Sequence, residues 1–103
     1  MGTEAESFEE RVIRAKKPAL VDFWGSWCIP CKQMEPILEA LRGSRPDLEV
    51  LKVNVNRNPR LASQYRIMGV PTLVLFQDGE ERGRAVGAHS LDQLTRFIEE
   101  HLG

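Results

Sequence analysis

Cys28 and Cys31 are the only cysteines in the chain, and they stand with two residues between them in Trp27-Cys28-Ile29-Pro30-Cys31-Lys32. A C-x-x-C pair suits two chemistries, reversible dithiol–disulfide exchange and metal binding. A closed zinc site takes four ligands, usually two cysteine pairs or cysteines with histidines. The remaining soft ligands, His89 and His101, lie more than 50 residues from the pair and 12 apart. That spacing is unlike a zinc finger, so no metal is expected. A buried, inert pair is the bland alternative, and Trp27, Pro30 and Lys32 around the cysteines argue against it. Redox exchange is the chemistry these residues favour. It needs an accessible thiolate, a second thiol to resolve the mixed disulfide, and a group that deprotonates this second thiol.

The elements around the pair follow from the pattern. Ser7 with Glu10 reads as a capping box that opens a helix carrying Phe8, Val12 and Ala15, and Lys16-Lys17-Pro18 closes it. Ala19 to Trp24 reads as a short strand buried on both faces. Gly25-Ser26 turns the chain into the cysteines, and Pro30 suits a first helical turn, where its missing N–H costs nothing. Met34, Ile37, Leu38 and Leu41 form one apolar helical face. Pro36 is expected to kink that helix without ending it, and Gly43 to stop it. Glu49 to Asn54 reads as a second strand. Asn58-Pro59 is expected to cap a short helix with Leu61, Ala62 and Tyr65 on its inner face. Thr72 to Gln77 is a third strand, and Asp78-Gly79 is a two-residue hairpin signal leading to a return strand from about Glu81 to Val86. Ser90 with Gln93 is a capping box for a last helix bearing Leu91, Leu94, Phe97, Ile98 and Leu102. The order α-β-α-β-α-β-β-α implies an α/β fold, with a mixed sheet between helices on both faces.

Composition narrows the functions. The 103 residues set an expectation of one domain, residues 1–103. Such a chain buries roughly 60–70 % of its unfolded surface, enough for a core without staples. The 42 % hydrophobic and 28 % charged fractions are those of a globular protein. Fourteen Lys and Arg against 15 Asp and Glu leave a net charge of −1, which removes the electrostatic basis for nucleic-acid or anionic-membrane binding. The apolar stretches fall far short of the roughly 20 residues a membrane span needs. The acidic start, MGTEAESFEE, lacks a secretory pattern. Glu6 stands where myristoylation of Gly2 would want Ser or Thr. The expected compartment is the cytoplasm.

With the strand-to-helix turn at Trp27-Cys28-Ile29-Pro30-Cys31-Lys32 in place, the chain resembles the thioredoxin family. Val21-Asp22-Phe23-Trp24, Lys52, Gly69-Val70-Pro71-Thr72, Asp78-Gly79 and Val86-Gly87-Ala88 stand where that family's pattern puts them, from about Ser7 to Leu102. The implied fold is a thioredoxin-like three-layer α/β/α arrangement with four helices. Two departures stand out. Ile29 replaces the common Gly after the first cysteine. The polar stretch before Ser7 is short for the family's first strand, so four strands are expected, with Glu49–Asn54 at an edge. There its polar Glu49, Lys52 and Asn54 would discourage edge-to-edge pairing.

The resemblance implies roles. Cys28, at a helix N-terminus whose free N–H groups and dipole favour a thiolate, would be the exposed nucleophile, and Cys31 the resolving cysteine. Asp22 interrupts an apolar strand; burying an unpaired carboxylate raises its pKa, and by resemblance it exchanges a proton with Cys31. Its alternative is a strand-end Asp that reaches solvent. Lys52 would be Asp22's partner, or an ordinary edge-strand lysine. The family's prolyl bond at Pro71 is cis, which would present the Val70 backbone to an extended peptide; a trans loop proline is the alternative. Trp27, Ile29, Pro30, Val70, Pro71, Gly87 and Ala88 would form a shallow substrate-binding surface, although each also suits generic packing. Ile29, bulkier and stiffer than Gly, is expected to add an apolar lip beside Cys28. Trp24 reads as core packing, His89 as an exposed loop residue, and His101 as a solvated residue near a helix C-terminus.

The implied activity is reduction of protein disulfides by a monomer that needs no bound cofactor and is itself re-reduced by a thioredoxin reductase, flavin- or ferredoxin-dependent. The same residues could serve a disulfide oxidant or isomerase with a shifted potential. A partner-binding module, indifferent to loss of both cysteines, is a third reading. Glutathione-dependent chemistry is weaker, because no site for a charged tripeptide is recognisable.

Overall fold

The computed structural model describes residues 3–102; Gly2 lies outside them. Four strands, β1 (Ala19–Trp24), β2 (Glu49–Asn54), β3 (Thr72–Gln77) and β4 (Glu80–Val86), form one sheet in the order β2-β1-β3-β4. β1 runs parallel to β2 and antiparallel to β3, and β3 pairs antiparallel with β4. The sheet is therefore mixed, with β2 at one edge. α1 (Glu4–Phe8) continues through a π-helical turn at Glu9–Ile13; α2 (Ile29–Gln33), α3 (Glu35–Ser44), α4 (Pro59–Gln64) and α5 (Leu91–Leu102) complete the fold. No helix among the described residues is long and apolar enough to cross a membrane.

Alternation along β1 divides the core, because successive side chains leave opposite faces of a strand. Leu20 packs with Met34 at the α2–α3 junction, with Leu38 and Leu41 of α3, and with Leu94 and Ile98 of α5. Ala19, Val21 and Phe23 pack on the other face with Phe8, Val12 and Phe76, flanked by Leu61 and Tyr65. The result is the expected three-layer α/β/α arrangement. Asp22 shares its strand face with Leu20, so it points into the layer that carries the cysteines.

Local chemistry sets the turns. Asp78 (φ 55°) and Gly79 (φ 76°) make the two-residue hairpin between Gln77 and Glu80, a type I′ geometry that requires positive φ at both positions. Ser90 and Gln93 form the reciprocal capping box, with Ser90 N–H donating to Gln93 Oε1 (2.9 Å) and Gln93 N–H to Ser90 Oγ (3.1 Å). Pro36 has no N–H to continue the ladder, and Met34 N–H bonds instead to Cys31 O at 3.1 Å. The helix thus breaks between α2 and α3 and then continues, so four helical limbs are present as expected.

Three local expectations are corrected. The first helix begins before Ser7, because Thr3 caps it, accepting Glu6 N–H at 3.1 Å. α3 runs past Gly43 to Ser44. The Asn58 side chain makes no cap; its Nδ2 donates to Glu4 Oε1 (2.7 Å) and Asn54 O (3.0 Å). Glu4 also accepts Asn54 N–H at 2.9 Å, and Arg42 donates to Val50 O at 3.3 Å. These two side chains occupy part of the outer edge of β2.

Candidate active site

β1 ends at Trp24, and the turn through Gly25 and Ser26 delivers Cys28 to the start of α2. Cys28 is the N-cap of that helix, and its Sγ accepts Cys31 N–H at 3.2 Å. The two cysteines form a disulfide with Cα atoms 5.2 Å apart. One turn of helix separates them, which is what allows so short a loop to close.

The nucleophile expected to be exposed is not open to solvent. Cys28 is 4 % exposed and Cys31 2 %. The carbonyl oxygen of Val70 lies 3.6 Å from Cys28 Sγ, and the Val70–Pro71 peptide is cis. The rim is open instead: Trp27 and Ile29 are each 68 % exposed, and Pro30 is exposed too. Ile29 forms the apolar lip anticipated from its size.

Pro71 is buried, whereas Val70 is half-buried and Ala88 exposed. Gly87 (φ 92°) donates its N–H to Pro71 O at 2.8 Å, which brings the Gly87-Ala88 turn beside the Val70 loop. A groove of about 150 Å³ next to the cysteines is lined by Trp27, Val55, Ile67, Met68, Gly69 and Val70. Val55, Ile67 and the 95 % exposed Met68 were not legible as groove residues, because they belong to two separate loops that only the fold brings to Trp27.

In the layer that carries the pair, Asp22 is fully buried, and both carboxyl oxygens lack a hydrogen-bond partner among the described residues. Desolvation pushes its pKa from 3.8 up to about 7; the positive charge of Lys52 opposes this and the negative charge of Glu35 adds to it. Asp22 and Lys52 are register partners in the β1–β2 ladder. The partnership is through charge and not through contact: Lys52 Nζ bonds to Glu35 Oε1 at 3.2 Å and lies 4.6 Å from the centre of the Trp24 ring. Glu35 escaped sequence reasoning. Its only signal was its place shortly after Cys31 in the sequence.

His89 is half-buried, not exposed. Its ring Nδ1 lies 2.8 Å from Gly87 O, and its N–H donates to Met34 Sδ at 3.4 Å. His101 stacks on Phe97 with centroids 4.5 Å apart. Neither approaches the cysteines as a ligand, and no cluster of three His, Cys, Asp or Glu side chains suited to a metal ion occurs among the described residues.

A disulfide at a helix N-terminus, with a buried carboxyl of raised pKa in the same layer of the fold, is equipment for thiol–disulfide exchange. Comparison with known proteins gives the same class. The thioredoxin family model matches residues 1–100. A thioredoxin of Acidithiobacillus ferridurans is 47 % identical over 98 residues, covering 94 % of this chain and 91 % of the relative. Thioredoxins of Rickettsia bellii (39 % identity, 94 % and 93 % covered) and Chlamydia trachomatis (42 %, 93 % and 92 %) match similarly. The chain belongs to the thioredoxin family and is a thiol–disulfide oxidoreductase acting on protein disulfides.

Proposed function

We propose that the chain reduces protein disulfides with Cys28 as nucleophile and Cys31 as resolving thiol. The observation that carries this reading is the cap: Cys28 Sγ already accepts the Cys31 N–H at 3.2 Å, a donor that stabilises a thiolate at that sulfur once the disulfide is opened. The Cys28 thiolate attacks one sulfur of the substrate disulfide. That bond breaks, a substrate thiolate leaves and takes a proton from water, and a mixed disulfide forms. The Asp22 carboxylate accepts the proton of Cys31, directly or through water. The Cys31 thiolate then attacks Cys28 Sγ, and the Cys28–substrate bond breaks. The second substrate sulfur departs as a thiolate that takes a proton from water while Asp22 returns its own to solvent, and two electrons have passed from the dithiol to the substrate.

Lys52 modulates Asp22 through its charge. Trp27, Ile29, Pro30, Val70, Gly87 and Ala88 bound the surface that receives the substrate segment, and Pro71 supports Val70 from below. The oxidised pair is returned to the dithiol by a thioredoxin reductase, flavin- or ferredoxin-dependent, which places the protein in cellular electron transport. It works as one domain and a monomer in the cytoplasm, without a bound cofactor. The near-neutral net charge of −1 supports neither a nucleic-acid nor a membrane surface as partner.

The test is a trapping pair. Cys31→Ser is expected to accumulate a mixed disulfide through Cys28 with a disulfide-bonded protein substrate, and Cys28→Ser to accumulate none. Trapping through Cys31 would reverse the assignment. An equilibrium redox titration read by tryptophan fluorescence would separate reductase from oxidant: a reducing potential supports the former and a markedly oxidising one the latter.

A further inference from the structure

Lys52 has a choice of carboxylates, and its position shows which one it takes. The β1–β2 register sets it beside Asp22, whose two oxygens have no partner among the described residues. Its ammonium nevertheless lies against Glu35 Oε1 (3.2 Å) and over the Trp24 ring (4.6 Å). A cavity of about 210 Å³ lined by Glu35, Leu38, Glu39, Arg42 and Lys52 opens on this side. The Lys52 side chain is 27 % exposed in this position, which leaves its ammonium access to hydration. Turning inward to Asp22 would cost part of it.

We propose that Glu35 is a positioning residue that holds the Lys52 ammonium away from Asp22, so that Asp22 stays unpaired and basic enough to take the proton of Cys31. The inference rests on the relay role given to Asp22 above. Glu35 opens α3 directly after α2, the short helix that carries Cys31, so the group that sets the proton acceptor follows the resolving thiol closely in the chain. Of the elements flanking Asp22, β2 brings Lys52, α3 brings Glu35, and β3 brings the apolar Leu73 opposite. Lys52 and Glu35 are thus the charges acting on it, with opposite sign.

Removing the Glu35 charge has two effects in the same direction. A like charge disappears, and Lys52 is released to reach the Asp22 oxygens; both favour the Asp22 anion. Glu35 is exposed, so its replacement leaves the core intact.

The experiment follows the Asp22 side-chain carbon by NMR against pH in the oxidised protein. Glu35→Gln is expected to lower the Asp22 midpoint by about one pH unit, and Glu35→Asp, which keeps the charge, to lower it less. In a Lys52→Met background the effect of Glu35→Gln should fall to less than half. An unmoved midpoint, or an undiminished shift without Lys52, overturns the proposal. The acid limb of kcat/KM for a protein disulfide is measured in parallel. It should move with the midpoint in Glu35→Gln and vanish in Asp22→Asn. A limb that survives in Asp22→Asn refutes the relay role, while the NMR midpoint still decides whether Glu35 controls Lys52.

Discussion

Asp22 and Lys52 face each other across the β1–β2 ladder, yet the ammonium of Lys52 is bonded to Glu35 and the Asp22 carboxyl is left without a hydrogen-bond partner among the described residues. A carboxyl in that state is a store of proton affinity. Burial disfavours its charged form, and the nearest cation is engaged elsewhere. Thiol exchange near neutral pH can use such a group, because the resolving thiol must lose its proton to something with comparable affinity.

The buried carboxyl makes stability depend on pH. Asp22 has a folded pKa of about 7 against 3.8 ordinarily, so the folded state binds this proton more tightly than the unfolded one. Its stabilising contribution is full below about pH 4, fades as pH rises, and is lost above about pH 7, amounting to about 4 kcal/mol in all. Relative to the native chain, oxidised Asp22→Asn is expected to gain stability steadily between those limits in urea unfolding. A difference that stays flat with pH would sink this account.

Ile29 tests the rim. Its side chain is exposed beside a recessed sulfur, so it can bury apolar surface only when a substrate docks. Ile29→Ser should leave the unfolding midpoint within about 0.5 kcal/mol of native. It should lower kcat/KM for a protein disulfide by about fivefold, the equivalent of partial burial of one aliphatic side chain. Small disulfides that do not reach the rim should be reduced at the native rate. Equal losses for both substrates would move Ile29 from docking to redox tuning.

Gly79 is required by its backbone. With φ at 76°, an added Cβ would also lie 2.8 Å from the carbonyl oxygen of Ile13, and backbone at that spot has little room to give. Gly79→Ala should cost about 2 kcal/mol, seen as a lower thermal midpoint. Asp78→Gly, at the neighbouring positive-φ position, should be nearly neutral.

Glu4 bridges the first helix to the sheet edge. Its Oε1 accepts both Asn54 N–H (2.9 Å) and Asn58 Nδ2 (2.7 Å). Glu4→Ala leaves the Asn54 amide without that acceptor and should cost about 1–2 kcal/mol. Hydrogen exchange at Asn54 should accelerate while amides in the middle of β1 keep their protection. Unchanged exchange at Asn54 would show that the contact contributes nothing to closing the edge.

The sequence alone determined the frame. The apolar run Ala19–Trp24, the Asp78-Gly79 turn and the Ser90–Gln93 cap are decided by neighbours within a few residues, through side-chain period and backbone φ, and each appears as read. Cys28 and Cys31 were equally legible, since a helix N-terminus directly after a strand is a local event. The four-stranded sheet of the described residues is legible too, because the polar stretch before Ser7 is short for a further strand. Tertiary structure decided the rest. Whether Lys52 bonds to Asp22 or to Glu35 depends on solvation and on where α3 lies over β2, and neither is encoded in spacing. The recess of Cys28 depends on Val70, brought in from 42 residues away. The groove depends on Val55, Ile67 and Met68 meeting Trp27. Local patterns fix elements because their energetics are short-ranged; burial, and the charge a buried group can bear, is a property of everything packed around it.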